Sequence, residues 1–337
     1  MTVPTHFGLD TLMKQLTRGI PGKLPGLSIV LIILLVTFSI GIPGFLSIGT
    51  LRSMMFQLPE LALLAMAMAL PMISGGLNLA IIATANACGL VMVVVMSALI
   101  PAGASGSAVM LGVAVGLAAG LAVGLAVGAA TGLLIARTGV HPILITLGVQ
   151  SMVEGTSVLL TQGKVVSGLP SAYGAVGNSL VFGIPLTFII MAIAALVIGV
   201  LLKRTAFGIA LAMTGSNAEA TRYSSINVGR VLIKVYALSG ILCFLAACLM
   251  LARFNSASSA YAKSYLLVTV LAAVLGGVDP FGGFGKVGGI ILALGVLQVI
   301  SSGCNLLGFS EYLTLGIWGV TLIAVMGVQS IGTRSSR

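Results

Sequence analysis

Charged residues are scarce in this sequence. Only 7% of the 337 residues are Asp, Glu, Lys or Arg, whereas 58% are hydrophobic and the mean hydropathy is +1.21. A soluble globular domain carries about 25% charged residues, so this chain has too little polar surface to coat a soluble fold of its size. The scarcity of charge therefore predicts a polytopic membrane protein. Because the apolar runs are continuous rather than alternating, we expect an all-α fold and not a β-barrel.

Motifs for catalysis and for nucleotide or metal binding are also missing. The sequence contains no GxSxG, HExxH or paired-carboxylate motif, and none of its Gly-Lys pairs has the upstream glycine of a GxxxxGK[ST] loop. We therefore expect a chain that is not an enzyme and that binds no cofactor or metal of its own. The four cysteines have no metal-ligand spacing and are interpreted as small core residues.

Basic residues outnumber acidic ones, 16 to 6, but this excess does not require a nucleic-acid partner. Inner loops of membrane proteins collect Lys and Arg. The apolar segments lie at about 27–45, 54–73, 77–100, 108–136, 143–161, 186–202, 231–251, 265–278, 287–303 and 312–329. With the N-terminus inside, the inner side holds Lys14, Arg18, Lys23, Arg137, Lys203, Arg204, Arg222, Arg230, Lys234, Lys286, Arg334 and Arg337. The outer side holds only Arg52, Lys164, Arg253 and Lys263.

This bias predicts about ten transmembrane helices with both termini cytoplasmic. Residues 1–26 would form a cytoplasmic N-terminal segment, 27–329 a single transmembrane domain, and 330–337 a cytoplasmic tail. Segments 186–202, 265–278 and 287–303 are shorter than the roughly 20 residues that cross a bilayer. Short, glycine-interrupted segments of this kind indicate broken or re-entrant helices.

The longest polar stretch on the inner side is 203–230. It holds four basic residues and one acid, Glu219, between long apolar segments. Ser216 and Glu219 have the spacing of a capping box, with Asn217 as a competing cap, so a short helix is expected at about 217–224. This helix is either an ordinary loop helix or a docking element for a soluble partner.

Several polar residues interrupt the apolar segments. An Asn within such sequence hydrogen-bonds either another helix or a solute, and an acid inside a span is either functional or a paired structural charge. Glu60 lies near the outer end of its segment and is expected to be hydrated. The candidate solute pathway consists of Gln57, Glu60, Asn78, Asn86 and Glu154.

Five motifs in order resemble those of one family. The chain reads SGGLNLAIIA at 74–83 where the family has SGGIDLSVGS, and GSNAEATRYSSI at 215–226 where the family has GxNxxAAxxSGI. The runs VYALSG at 235–240, LAAVLGG at 271–277 and NLLG at 305–308 also match. From about residue 30 to 328 the chain resembles the permease subunits of bacterial ABC importers for simple sugars. That class serves ribose, xylose, arabinose, galactose and a sugar-derived autoinducer.

The resemblance implies a subunit of the bacterial inner membrane that moves a small sugar-like solute, such as a monosaccharide or polyol, by alternating access. It implies four kinds of partner: a second permease copy, identical or not; cytoplasmic ABC ATPase subunits that bind ATP and Mg²⁺; a periplasmic solute-binding protein; and the lipid bilayer. An ion-coupled secondary transporter is the alternative. The family's GxNxxAAxxSGI loop resembles a coupling helix that docks on the ATPase. That role falls on Gly215, Asn217, Glu219, Ala220, Ser224 and Ile226.

The sequence departs from the family pattern along the expected solute route. Asn78 stands where the family has an acid, and Glu154 precedes Gly155 where Arg-Gly is common. The stretch 264–272 lacks two acids of the family pattern, and 278–285 reads VDPFGGFG instead of TSLxGGxG. These departures leave open whether the cargo is a standard pentose or hexose.

Overall fold

The computed structural model describes residues 23–101, 106–310, 312–321 and 323. The helices are α1 (Lys23–Gly41), α2 (Ile48–Ile73), α3 (Ile81–Leu99), α4 (Ser107–Thr138), α5 (Pro142–Thr161), α6 (Ser171–Asn178), α7 (Leu186–Arg204), α8 (Ala206–Ser216), α9 (Ala218–Tyr223), α10 (Val228–Phe254), α11 (Tyr265–Leu275) and α12 (Val287–Leu306). Residues 312–321 are also helical. The strands β1 (Val166–Ser167), β2 (Leu180–Val181), β3 (Ile184–Pro185) and β4 (Ser256–Ala257) form two short antiparallel pairs, β1–β4 and β2–β3.

Within the described part of the chain, seven helices are long and apolar enough to cross a membrane: α2, α3, α4, α5, α7, α10 and α12. Shorter apolar helices lie at Gly26–Gly41, Ala206–Ser216 and Tyr265–Leu275. The predicted polytopic helical fold is thus confirmed. Residues 1–22, 324–329 and 330–337 lie outside the described residues, so the count of ten and the side of the termini stay predictions.

Two of the three segments predicted to be broken are continuous helices. Segments 186–202 and 287–303 belong to α7 and α12, which have 19 and 20 residues, because the helices extend through polar residues at their ends. The third segment, 265–278, was interpreted correctly. Its helix α11 has 11 residues, or about 16 Å of rise, roughly half the thickness of a hydrocarbon core.

A glycine face on α4 brings this helix close to α10. Its buried residues include a glycine at every fourth position from 112 to 132, and residues spaced by four lie on one face of a helix. An added Cβ on Gly124 would lie 2.6 Å from the carbonyl oxygen of Gly240, and one on Gly128 would overlap that of Tyr236. The missing side chains therefore let α4 approach the antiparallel α10 closely.

Helix α2 runs through the centre of the bundle. Every residue from Leu58 to Ile73 is buried, and α2 packs against α7, α10, α11 and α12. Helix α1 covers α12 and runs parallel to it, because Leu31 contacts Gly295 and Phe38 contacts Gly303. The C-terminal end of α2 and the N-terminal ends of α1 and α12 therefore mark one end of the bundle.

The loops gather at the two ends of the bundle. One end, the junction end, contains residues 74–80, 139–141, 205–227 and 276–286. The other, the strap end, is named after the strap, residues 255–264 between α10 and α11. Among the described residues, the junction end holds Lys23, Arg137, Lys203, Arg204, Arg222, Arg230, Lys234 and Lys286, and the strap end holds Arg52, Lys164, Arg253 and Lys263. This grouping of loops agrees with the two sides assigned from charge.

Candidate functional site

Three backbones meet at the junction end. The amide of Gly283 donates a hydrogen bond of 2.8 Å to the carbonyl oxygen of Ile73, the last residue of α2. An added Cβ on Gly215, near the end of α8, would overlap that same carbonyl oxygen, and one on Gly282 would lie 2.8 Å from the backbone of Gly75. Gly75, Gly282 and Gly283 have φ values of +85°, +96° and +88°, a region that favours glycine. We call Gly75, Gly215, Gly282 and Gly283 the glycine junction.

The charges of the stretch 203–230 predicted a polar loop along its whole length, but only part of the stretch has that structure. Helix α7 extends to Arg204, and the apolar residues that follow form α8, which packs against α2 and α10. Leu211 is fully buried, and the Thr205 hydroxyl caps α8 by accepting a hydrogen bond from the Gly208 amide. The charges at both ends of the stretch concealed this apolar helix. Only residues 216–227 form a largely exposed connection.

The predicted short helix is present as α9, but its cap differs from the capping-box expectation. The Oδ1 atom of Asn217 accepts a hydrogen bond of 2.9 Å from the Ala220 amide. Ser216 is the last residue of α8, so its backbone lacks the extended conformation that an N-cap adopts. Asn217, with φ −161° and ψ 103°, has that conformation and separates the two helices.

The residues predicted for coupling fall into three environments. Gly215 belongs to the glycine junction, and Ile226 is half-buried against the core. The others are exposed on or beside α9: Asn217, Glu219, Ala220 and Ser224. Sequence reasoning missed Tyr223 and Phe281, whose exposed fractions are 89% and 88%. An aromatic residue isolated among polar or glycine residues was the signal that could have identified them. We call the exposed residues Asn217, Glu219, Ala220, Tyr223, Ser224 and Phe281 the α9 surface.

At the strap end, Glu60 is buried rather than hydrated. Its side chain is 1% exposed, and its Oε1 atom accepts hydrogen bonds from Arg253 at 2.8 Å and from the hydroxyl of Tyr265 at 3.1 Å. These partners end α10 and begin α11, so they flank the strap. The expectation of hydration was wrong because partners 193 and 205 residues away along the chain fold over this carboxylate.

Two further pathway candidates bond the strap directly. The amide nitrogen of Asn86 donates to the carbonyl oxygens of Ser259 at 3.1 Å and Tyr261 at 2.9 Å. Glu154 pairs with Lys263 of the strap at 2.5 Å, which favours the interpretation of Glu154 as a paired charge. A pocket of about 80 Å³ lies between these groups and is also lined by Gln150. Side chains of α3 and α5 therefore bond the strap, and a side chain of α2 bonds the residues on either side of it.

Gln57 lines a much larger cavity on the other side of the strap. This cavity of about 960 Å³ lies between the start of α2, the strap, the end of α12 and the helix at 312–321. Its aromatic walls are Phe254, Tyr261, Tyr265, Phe309, Tyr312 and Trp318, and its polar walls include Gln57, Ser256, Lys263, Ser264, Ser301, Asn305 and Thr314. Lys263 borders both this cavity and the pocket at Glu154. The indole nitrogen of Trp318 is buried without a hydrogen-bond partner among the described residues.

Asn78 is separate from this group. Its amide nitrogen donates to the hydroxyl of Ser239 at 3.0 Å, and that hydroxyl donates to the carbonyl oxygen of Ala67 at 2.8 Å. The Oδ1 atom of Asn78 accepts from the Ala80 amide. Asn78 therefore links α2, α3 and α10 near the junction end, and the structure does not bring it together with the other pathway candidates.

Comparison with known proteins gives consistent matches. The family profile described as "Branched-chain amino acid transport system / permease component" matches residues 50–326. The chain is similar to the ribose import permease protein RbsC of Bacillus subtilis (strain 168), with 34% identity over 88% of this chain and 89% of that protein. It is also similar to the autoinducer 2 import system permease protein LsrD of Yersinia pseudotuberculosis serotype O:1b (strain IP 31758), with 28% identity over 80% of each. No solved structure matches the chain.

Proposed function

Because the chain belongs to the family of branched-chain amino acid transport system permease components, we propose that it is the membrane-spanning subunit of an ATP-driven importer. Its role in transport and its place as a multi-pass protein of the inner membrane follow from the family and the seven apolar helices. The resemblance to sugar ABC importer permeases carried by the five motifs is confirmed. The proposal adds the energy source, the path of coupling and the chemistry of the solute.

In this proposal, a cytoplasmic ABC ATPase docks on the α9 surface and supplies all of the free energy. ATP and Mg²⁺ are bound by that partner, and this chain needs no cofactor. The observation that supports this arrangement is the glycine junction: α8 carries α9, and the backbone of Gly215 lies directly against the end of α2. A displacement of α9 by the ATPase therefore passes to the central helix without relying on flexible side chains. Two permease copies would reorient by alternating access.

The solute enters through the large cavity at the strap end, delivered by a periplasmic binding protein. Ligand pockets have volumes of about 300–1,000 Å³, with apolar walls and a few placed polar groups, and this cavity falls in that range. Aromatic faces, amides and hydroxyls suit a neutral polyhydroxylated solute, because the nearby charges Lys263 and Arg253 are already paired with acids. The relatives are named for import of ribose and autoinducer 2. A sugar or polyol is therefore the proposed cargo.

An ion-coupled secondary transporter is less consistent with the structure. Such transporters use ionisable groups inside the membrane that exchange partners with an ion. Within the described part of the chain, both acids in the long apolar helices, Glu60 and Glu154, are ion-paired. A proton or sodium ion at either carboxylate would compete with the positive charge of its partner, Arg253 or Lys263.

Uptake by the complete assembly in proteoliposomes tests the proposal. We expect uptake of D-ribose or a related pentose, hexose or polyol only with hydrolysable ATP on the ATPase side. The exposed variant Glu219→Lys should lower uptake by about tenfold, the loss of roughly 1.4 kcal/mol of docking free energy. Asn178→Ala, an exposed residue at the strap end, is the control and should leave uptake unchanged. Uptake driven by a proton or sodium gradient without ATP would establish the alternative instead.

Intrinsic fluorescence tests the solute site separately, because Trp318 is the single tryptophan of the chain. In purified permease, binding of the transported solute in the cavity should produce a saturable change in tryptophan emission. Asn305→Ala, which removes a polar wall, should weaken that binding about 3- to 10-fold, the range expected for one hydrogen bond. If a solute that the assembly transports leaves the tryptophan emission unchanged, the assignment of this cavity as the solute site is contradicted.

A further inference from the structure

A separate cavity opens between two membrane helices at the junction end. Its volume is about 430 Å³, and it separates the last turns of α7 from the first turns of α12. Most of its wall is small or aliphatic: Ala195, Leu196, Gly199, Val200, Val287 and Ile291. An added Cβ on Gly199 or on Gly288 would meet no atom within 4 Å, so the space beside both residues is open. The space is apolar along its depth.

Three basic side chains surround the mouth of this cavity: Lys203, Arg204 and Lys286. All three are exposed, and neither of the two ion pairs found among the described residues includes any of them. Asp279 is the acid of the adjacent loop, and its Oδ1 atom accepts a hydrogen bond from the Phe281 amide, so three cations face a single carboxylate. The mouth therefore carries a net positive charge above an apolar interior.

A phospholipid with an anionic headgroup has the matching arrangement of charge and apolar chain. Basic pockets between membrane helices on the cytoplasmic side bind anionic lipid headgroups, and the excess of basic residues assigns the junction end to that side. Phosphate oxygens form charge-assisted hydrogen bonds with Arg and Lys. We propose that this cavity binds one anionic phospholipid, with its headgroup at Lys203, Arg204 and Lys286 and an acyl chain between α7 and α12.

Two other occupants fit less well. A free phosphate ion would use the three cations but would leave the apolar wall unfilled. The chain's own N-terminal segment, residues 1–22, carries Lys14 and Arg18 against the single acid Asp10, so its net charge has the same sign as that of the mouth and is repelled by it. A lipid satisfies both the charge and the apolar depth.

The proposed lipid site lies next to the helices that we propose for coupling. Lys203 and Arg204 are the last residues of α7, and only Thr205 separates them from α8. A headgroup held there fixes the end of α7 from which α8 and α9 continue. Anionic lipid should therefore favour productive docking at the α9 surface, although lipid binding itself does not depend on the proposed transport function.

Native mass spectrometry of the purified full-length permease tests the site. Phosphatidylglycerol and phosphatidylcholine with identical acyl chains are added at equal concentration, and the bound lipid is counted. We expect retention of one phosphatidylglycerol with about 10- to 100-fold preference over phosphatidylcholine, since each nearby Lys or Arg favours an anionic lipid by about tenfold or less. Equal retention of the two lipids by the wild-type protein would overturn the proposal.

Two variants separate the cavity from general surface charge. Lys203→Gln/Arg204→Gln/Lys286→Gln should abolish the preference, whereas Lys164→Gln at the strap end should retain it. Gly199→Leu/Gly288→Leu fills the cavity without changing charge and should also lose the bound lipid. Retention of phosphatidylglycerol by this filled variant, or its complete displacement by inorganic phosphate, would mean that no acyl chain occupies the cavity.

Discussion

The two ends of the bundle are held together by different kinds of contact. At the glycine junction, the backbones of α2, α8 and the loop at 279–284 touch directly, and no side chain separates them. At the strap end, side chains from other helices provide the contacts: Asn86 and Glu154 bond the strap itself, and Glu60 bonds the two residues that flank it. Backbone contact transmits displacement because no side-chain rotamer can change to absorb it. Side-chain bonds can break and re-form without unfolding a helix. The first end suits coupling, and the second suits opening to a solute.

The largest effect is expected from Gly215→Val. The new side chain would overlap the carbonyl oxygen of Ile73 and force α8 away from α2. Overpacking of this kind typically costs about 1–3 kcal/mol, and here the cost falls on the contact that we propose to carry coupling. We expect ATP-driven uptake in proteoliposomes to fall by more than about tenfold.

The matched control is Gly174→Val, where an added Cβ meets no atom within 4 Å. Its uptake should stay within about twofold of wild type. Wild-type uptake in the Gly215 variant would remove the glycine junction from the coupling path.

Glu60→Gln should have the next largest effect, and on stability rather than on coupling. The change leaves Arg253, with a side chain only 29% exposed, without its carboxylate. Breaking a partly buried ion pair of this kind should lower the free energy of unfolding by about 1–3 kcal/mol. Thermal unfolding in detergent measures the loss, and a double-mutant cycle with Arg253→Gln isolates the pair. An unchanged midpoint of thermal unfolding would mean that the ion pair of Glu60 does not stabilise the fold, as expected for a hydrated carboxylate.

Asn86→Ala should weaken the apparent affinity for the solute. It removes both hydrogen bonds that hold the carbonyl oxygens of Ser259 and Tyr261, so the strap beside the cavity loosens. With each bond contributing about 0.5–1.5 kcal/mol, the KM for uptake should rise about 3- to 10-fold. The ATPase should remain bound to the variant. A wild-type KM would show that the strap does not shape the solute site.

The smallest effect is expected from Glu154→Gln. The pair with Lys263 is partly exposed on both sides, 31% and 59%, and such pairs contribute about 0–1 kcal/mol. The unfolding midpoint should therefore shift little, and the exchanged variant Glu154→Lys/Lys263→Glu should transport normally. A loss of uptake in Glu154→Gln without a loss of stability would identify Glu154 as a solute- or ion-binding group and would favour the ion-coupled alternative.

The sequence was sufficient for features that depend on local pattern. Hydropathy predicted the helical membrane fold, and the Asn and Ser residues at 216–217 predicted the short helix α9. The position of Gly215 also followed from a motif, although its reason, contact with the end of α2, required the structure. Local signals succeed where neighbours along the chain determine the outcome.

Features that depend on distant residues were missed. Glu60 was expected in water because its partners Arg253 and Tyr265 are far away in sequence. Helix α8 was hidden because flanking charges marked the whole stretch 203–230 as polar. The convergence of Gln57, Glu60, Asn86 and Glu154 around the strap could not be predicted from spacing, because three separate helices, α2, α3 and α5, bring them together.

The two ends of the bundle are expected to have separable roles. Co-purification of the ATPase with two permease variants, together with the KM of each variant for solute, tests this separation. Ala220→Arg on the α9 surface should lose most of the bound ATPase, whereas Asn86→Ala at the strap should retain it and show a raised KM. Equal retention of the ATPase by both variants, with an unchanged KM in Asn86→Ala, would contradict the claim.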